Sequence, residues 1–305
     1  LVDEWFIFLE TIVYDAFKFV PSSKYRFKIV PTSDIDMPFI TSQKFLPFIR
    51  SLIGDIFIRK HIFNALNSFI QFTISLLTNG NIDPYKRNLL WMLKKTKEYK
   101  LDMELFFIPA QTSTKYDFNY DLNESKYITL LKKVSKKNAR LGVHPGYLTS
   151  ENQDVLNESI EKFNTVVKKC QLKDDNLRAR QHYLRCQYPE ILRAYEKIGI
   201  KHDYSLGYAD LCGFRSSTCH IYQMFDHEED KPISVLVHPL LIMDTTIFDN
   251  NYMGYKKDSD TINYIEKIKN RVMEVKGEFN FLYHNSNICS KYDKELYSVL
   301  LKNNE

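Results

Sequence analysis

The feature that most limits what this chain can fold into is a repeated one: short apolar runs that stop at a polar residue, separated by segments with helical periodicity. Arg26 to Pro31 leads into Asp34 and Asp36, and Met103 to Ile108 stops before Pro109. Arg140 to Val143 stops at His144, Ile233 to Val237 at His238, and Phe279 to Tyr283 at His284. Alternation of this kind predicts βα units around a mostly parallel sheet, and so an α/β fold. In a barrel or doubly wound sheet the loops that follow the strands share one rim. Asp34, Asp36, His144, Arg180, His182, Asp203 and His284 are therefore expected at one end of the molecule.

The first two strands are about seventy residues apart, far more than an ordinary crossover needs. Helices are expected near Phe45 to Lys60, His61 to Leu77 and Tyr85 to Glu98, which makes 44–100 a helical insertion. Residues 1–23 read as an N-terminal helical segment and 24–305 as the main unit. The stripe Ile62, Leu66, Phe69, Ile70, Thr73 and Leu77 predicts a packed helix, with contact to a membrane surface as the alternative. The uncharged stretch from Ile62 to Leu77 is too short, and too interrupted by Asn64, Asn67, Ser68 and Gln71, to span a bilayer. Ser150-Glu151-Asn152-Gln153 reads as a capping box opening a helix to about Cys170. Pro189 and Gly199 bracket a short helix. Ile262, Ile265, Ile268 and Val272 give another, closed by Gly277, and a last one covers Lys294 to Leu301.

A length of 305 residues is compatible with one core, since α/β barrels of ~250 residues or more form single domains. The 42 basic and 38 acidic residues nearly cancel, and lysines such as Lys94-Lys95 and Lys132-Lys133 are scattered over helix faces. That excludes a nucleic-acid footprint. The five cysteines are odd in number and contain no Cys-x-x-Cys pair, which argues against a disulfide framework or a thiolate zinc site and for a reducing, cytoplasmic compartment. The opening Leu1-Val2-Asp3-Glu4-Trp5 shows no signal peptide and no initiator Met, so a fragment that lacks its true N-terminus is expected.

Thr32-Ser33-Asp34-Ile35-Asp36 carries the chemistry. With side chains alternating along a strand, Asp34 and Asp36 point to the same side, where they can share a cation or divide the roles of base and ligand. Aspartates also follow strands for ordinary turn reasons, and isolated histidines such as His61, His202, His220 and His227 are structural by expectation. Two carboxylates with two or three imidazoles from separate segments are a different matter. They can hold a divalent metal with an open position and activate water toward an acyl carbon.

Leu141-Gly142-Val143-His144-Pro145-Gly146-Tyr147 and Arg180-Gln181-His182-Tyr183-Leu184-Arg185 join the Asp-x-Asp segment in resembling motifs of polysaccharide deacetylases. The resemblance continues through Asp203-Tyr204-Ser205-Leu206-Gly207-Tyr208-Ala209-Asp210, Gly213-Phe214-Arg215, Met243-Asp244 and Leu282-Tyr283-His284-Asn285. These occur in the order seen in a branch found with bacterial surface-polysaccharide genes. The resemblance runs from about residue 24 to the end. It implies a distorted, incomplete (β/α) barrel of about seven strands and metal-dependent removal of acetyl groups from N-acetylated sugars, that is, a carbohydrate substrate.

By the same resemblance Asp34 matches the catalytic base, Asp36 the metal-binding Asp, His144 the first metal-binding His and His284 the general acid. Arg180 matches the Arg that orients the base, with Arg215 as competitor because Gly-Phe-Arg resembles that motif in other branches. The chain departs from the family pattern His-x-x-x-His, because Leu148 stands four residues after His144. His182 is the expected replacement ligand, with His238 behind it. The metal expected is zinc, with cobalt, nickel or iron as possibilities. Tyr147, Tyr183, Asp203, Tyr208 and Arg215 are expected to contact the sugar. Two other readings stay open: a deacetylase-fold protein that binds saccharide or assists polysaccharide assembly without hydrolysis, and a metal-dependent amidohydrolase acting on a non-sugar amide.

Overall fold

In the computed structural model, residues 2–18, 25–118, 120–172 and 176–303 are described. An N-terminal helix α1 (Val2–Phe17) precedes β1 (Lys28–Ile35). The insertion supplies α2 (Phe45–Ile53), a π-helical turn (Gly54–Ile58), α3 (Ile62–Leu77) and α4 (Pro84–Glu98). Then follow β2 (Met103–Phe107), α5 (Ser125–Ser135), β3 (Ala139–Val143), α6 (Gln153–Lys169), β4 (Arg178–Ala179), α7 (Glu190–Ile198) and β5 (His202–Asp203). The chain ends with β6 (Tyr222–Asp226), β7 (Lys231–Val237), β8 (Ile242–Met243), α8 (Asp244–Phe248), α9 (Ser259–Glu274), β9 (Glu278–Leu282) and α10 (Lys291–Leu301).

The strands form one sheet in the order β6-β7-β5-β4-β3-β2-β1-β9-β8. Eight of them, β7 to β8 in that order, make a continuous parallel run, the wall of the expected α/β barrel with the two-residue β8 at one edge. The antiparallel β6 extends the other edge. No ladder joins β7 to β8; instead Asn280 Nδ2 donates to the His238 carbonyl at 3.3 Å and Leu241 N–H to the Asn280 carbonyl at 3.0 Å. The barrel is thus incomplete at that seam. No helix of the described residues is long and apolar enough to cross a membrane.

β1 runs to Ile35, four residues beyond the proline at which the sequence predicts its end. Proline has no N–H to give to a ladder. At this level the Thr32 hydroxyl donates to the carbonyl of Phe281, the register partner of Pro31, at 2.8 Å. Extended pairing therefore continues through Asp34, which sits opposite Phe106 in β2. Gly142 in β3 is required for another reason: a Cβ there would lie 2.6 Å from the Phe106 ring and 2.8 Å from Arg178 Cγ. The interior is too closely filled for any side chain.

Two expectations fail. The helix after His144 is opened by Asn152, whose Oδ1 accepts from Asp154 and Val155 N–H, and not by Ser150, whose hydroxyl turns back to the Tyr147 carbonyl. Along α3, Ile62, Leu66, Phe69, Ile70 and Leu77 are exposed, whereas the stripe predicted packing. Only Ala65 and Ser75 of α3 are buried; Ala65 joins a small cluster with Phe48 and Leu52 of α2. Periodicity reveals an apolar face but not whether a layer of protein covers it.

Candidate active site

The strand ends bring six of the expected residues to one point: Asp34, Asp36, His144, Arg180, His182 and His284. Asp34, next to last in β1, lies beside Arg180, whose Nη1 donates to Asp34 Oδ1 at 2.9 Å and to the Thr32 hydroxyl at 2.9 Å, while Nε donates to the Tyr204 carbonyl. The guanidinium is fully buried and lies 4.7 Å from the centre of the Phe106 ring, so its position is set on three sides. Arg215, the competing candidate, instead donates to the Gly207 carbonyl at 2.9 Å.

Asp36, one residue past β1, faces the imidazoles. Its Oδ1 lies 3.3 Å from His144 Nε2 and 3.8 Å from His182 Nε2, and its Oδ2 lies 3.9 Å from His284 Nε2. His144 Nε2 is also 3.6 Å from Asp34 Oδ2. Each ring is held from behind. His144 Nδ1 meets the Arg180 carbonyl at 2.5 Å, His182 Nδ1 the Asp117 carboxylate at 2.7 Å, and His284 Nδ1 the Asp244 carboxylate at 2.7 Å. A ring that donates Nδ1–H to such an acceptor presents the lone pair of Nε2 forward, the arrangement found behind metal-ligating histidines.

Asp117 is a residue that sequence reasoning missed. Its carboxylate accepts from Thr112 N–H and hydroxyl, Ser113 N–H and Tyr147 N–H in addition to His182. Burial works against its charge, but the His182 ring, the Thr112 hydroxyl and the backbone donors outweigh that and hold it below the ordinary carboxylate range. Gly146 permits this approach, since a Cβ there would fall 2.7 Å from Asp117 Oδ2. Asp244 was visible only as part of the Met243-Asp244 motif; its Oδ2 also accepts from His284 N–H at 2.9 Å. Burial opposes charge on His284, yet Asp244 first, then Asp36 and Asp34, raise its pKa to about 10.

A divalent cation fits this geometry. Asp36 Oδ1 is buried with no hydrogen-bond partner, and the Nε2 lone pairs of His144 and His182 converge on it. Ligand atoms of Asp36, His144 and His182 lie within 4.8 Å of one another. Three acceptors facing each other in a buried site call for positive charge between them. The same demand acts on the rings: burial disfavours a charged His144, but Asp34 and Asp36 outweigh it and raise its pKa. One carboxylate and two imidazoles suit zinc or a neighbouring first-row metal.

His238, the second choice for the missing ligand, is excluded by its position. Its ring stacks on Tyr204 at 4.2 Å, takes the His202 ring at 2.9 Å and faces Glu278 at 3.4 Å, inside the barrel and away from Asp36.

Of the expected sugar contacts, Tyr147 and Tyr183 stand at the rim. Tyr183 is half exposed, 4.5 Å from the His182 ring, and both it and Leu184 adopt left-handed backbone angles (φ 59° and 54°), which side chains of this size rarely take. Tyr147 stacks on Tyr116 at 4.0 Å and carries the Arg185 guanidinium on its ring. Tyr208 is 37% exposed and makes none of the contacts that assemble this cluster. Asp203 has no open face: it is fully buried, and its carboxylate accepts from Tyr188 OH, Ser205 N–H and the Ser205 hydroxyl. Ser205 Oγ in turn accepts from Gln181 N–H at 2.9 Å, so Asp203 braces the segment between Arg180 and His182 from behind.

No protein-family model matches the sequence, and no curated protein sequence matches it. Solved structures do resemble it. A protein of Mycobacterium smegmatis assigned as a polysaccharide deacetylase aligns over 93% of this chain and 85% of its own, with a TM-score of 0.58 and 9% identity. A protein of Pseudomonas aeruginosa PAO1 with the same assignment aligns over 91% and 84%, with a TM-score of 0.56 and 10% identity. Puue allantoinase aligns over 92% and 85%, with a TM-score of 0.55 and 10% identity. The chain therefore has the fold of the polysaccharide deacetylases.

Proposed function

We propose that the protein is a metal-dependent hydrolase that removes acetyl groups from N-acetylated sugars of a bacterial surface polysaccharide or its precursor. The observation that carries this is the convergence of Asp36, His144 and His182 within 4.8 Å, flanked by Asp34 on Arg180 and His284 on Asp244. When bound by Asp36, His144 and His182, a divalent metal supplies Lewis acidity and a more acidic water.

Asp34 serves as the base. Arg180 occupies its Oδ1, which leaves Oδ2 to accept the proton of the water that attacks the acetamide carbon. His284 is held as an imidazolium, because against its burial Asp244 and then Asp36 and Asp34 raise its pKa to about 10; with Nδ1–H given to Asp244, its second proton sits at Nε2, aimed into the site. It delivers that proton to nitrogen as the C–N bond breaks, and acetate and the free amine leave. Tyr147 and Tyr183, with Tyr116 behind them, offer ring faces for the sugar. Residues 24–305 constitute the catalytic unit, with 44–100 as its insertion. The cysteines described, Cys170, Cys186, Cys212, Cys219 and Cys289, are all unpaired, which supports a cytoplasmic setting.

The reading is tested by acetate release from a panel of N-acetylated saccharides and non-sugar acetamides, wild type beside Asp34→Asn. Acetate from saccharides, lost in the variant, is expected. Saccharide binding without acetate release by the metal-loaded protein points to the non-hydrolysing alternative, and release from the non-sugar amides alone to an amidohydrolase of another substrate class.

A further inference from the structure

The helical insertion carries an apolar surface that the body of the protein does not cover. α2 and α3 pack on each other through Phe48, Leu52 and Ala65, with Phe48 and Phe72 stacked at 4.4 Å, and the outward face is left apolar. At the turn between the helices Phe57, Ile58 and Phe63 are 74%, 80% and 87% exposed; Phe45, Leu46 and Leu77 extend the face at 64%, 68% and 80%. Exposed apolar surface on this scale marks a contact with a protein or a membrane.

Charge identifies which. Residues 44–82 carry four cations, Lys44, Arg50, Arg59 and Lys60, against one carboxylate, Asp55, and that carboxylate is held by Arg59 at 2.5 Å. Arg59 and Lys60 directly follow the exposed Phe57 and Ile58. α3 has no charged residue along its sixteen positions. An uncharged apolar shaft with cations gathered at its tip and base complements the acyl and headgroup layers of an anionic bilayer. α1 is the instructive contrast. It also exposes Trp5, Phe6, Phe8 and Phe17, but it carries Asp3, Glu4, Glu10 and Asp15 and no cation, so anionic lipid would repel it. α1 of a second copy matches the hairpin less well, because Asp3 is buried against Thr218 and Cys219, Glu4 already faces Arg271, and α3 offers nothing to pair with Glu10 and Asp15.

We infer that the α2–α3 hairpin docks the protein on anionic membrane surfaces, with Phe57, Ile58 and Phe63 entering the interface and Arg50, Arg59 and Lys60 meeting the headgroups. The hairpin leaves the body just beyond β1, and Lys44 Nζ donates to the Thr114 carbonyl, in the loop that holds Asp117. The lipid contact is thus carried by an element that joins the body beside the rim that carries Asp34 and Asp36. It stands whether or not the site hydrolyses acetamides, because its test measures lipid binding and not turnover.

The experiment is flotation of the full chain with vesicles of phosphatidylcholine alone or with about 30% phosphatidylglycerol, for wild type, Phe57→Glu/Phe63→Glu and Arg59→Gln/Lys60→Gln. Thermal unfolding and circular dichroism confirm that the variants fold, as expected for exposed positions. Wild type is expected to bind the anionic vesicles, losing about a hundredfold in affinity in the phenylalanine pair and about tenfold in the cation pair or at high salt. Should the phenylalanine pair fold poorly, the cation pair and the salt dependence of wild type still decide. No binding of wild type to anionic vesicles overturns the inference, as does equal binding to both vesicle types. A wild-type dimer that the phenylalanine pair dissociates, with no vesicle binding, assigns the face to a second copy and overturns it too.

Discussion

The two ends of the barrel both gather buried charged groups and histidines, and they use them in opposite ways. At the strand starts a cavity of about 850 Å³ is lined by Lys28, Glu104, Arg140, Arg178, His202 and Glu278 among others. There each carboxylate meets a cation: Glu104 lies 3.2 Å from Arg140 and 3.2 Å from Arg178, and Glu278 lies 3.3 Å from Lys28. His202 is pushed down to about 4, first by burial and then by His238 and Arg178. At the strand ends Asp36 instead faces the Nε2 atoms of three imidazoles, each ring held from behind at Nδ1. Charges that pair off with arginine and lysine build a scaffold; acceptors that converge on one point build a site.

Substitutions at the two ends should therefore differ in their effect on turnover. The largest effect is expected for Asp34→Asn, which should lower kcat/KM by about a thousandfold or more and, by leaving the buried Arg180 against a neutral partner, should also cost about 3 kcal/mol in denaturant unfolding. Glu104→Gln at the other end should cost stability alone. It leaves the buried Arg178 against a neutral partner, while the half-exposed Arg140 keeps Asp102, and should cost about 2 kcal/mol in denaturant unfolding, with turnover retained. A loss of turnover without a loss of stability there would break the distinction.

Asp117→Asn probes the support behind His182 and should weaken metal binding by about ten- to a hundredfold, read by competition with a chelating dye. The smallest effect belongs to Glu278. Burial tends to raise its pKa, but His238 and Lys28 prevail and lower it. A carboxyl with a depressed folded-state pKa contributes stability that is present above its unfolded pKa and lost as pH falls through the folded one. Wild type should thus exceed Glu278→Gln by about 1 kcal/mol near neutrality, and the gap should close as pH falls below the ordinary carboxylate range.

What the sequence reveals and what it hides divide along physical lines. Asp34, Asp36, His144, His182 and His284 are legible because each stands at or near a strand end, and parallel strands deliver their ends to one rim. Asp117 was hidden because it lies ten residues past the end of β2, in an irregular loop that no periodicity describes. Asp203 was misjudged as a sugar contact because β5 is two residues long, and in so short a strand a shift of one residue decides which side a side chain takes. The α3 stripe shows the same limit on a larger scale, since a helix sequence specifies its apolar face and not what lies over it.

The central claim is that His182 completes the metal site that Leu148 leaves short of a ligand. It is tested most directly by metal content after purification without chelator, for wild type, His144→Ala and His182→Ala. The account predicts close to one equivalent of divalent metal in wild type and its loss in both variants, with folding intact. Metal retained at full occupancy in His182→Ala would contradict it and place the third ligand elsewhere.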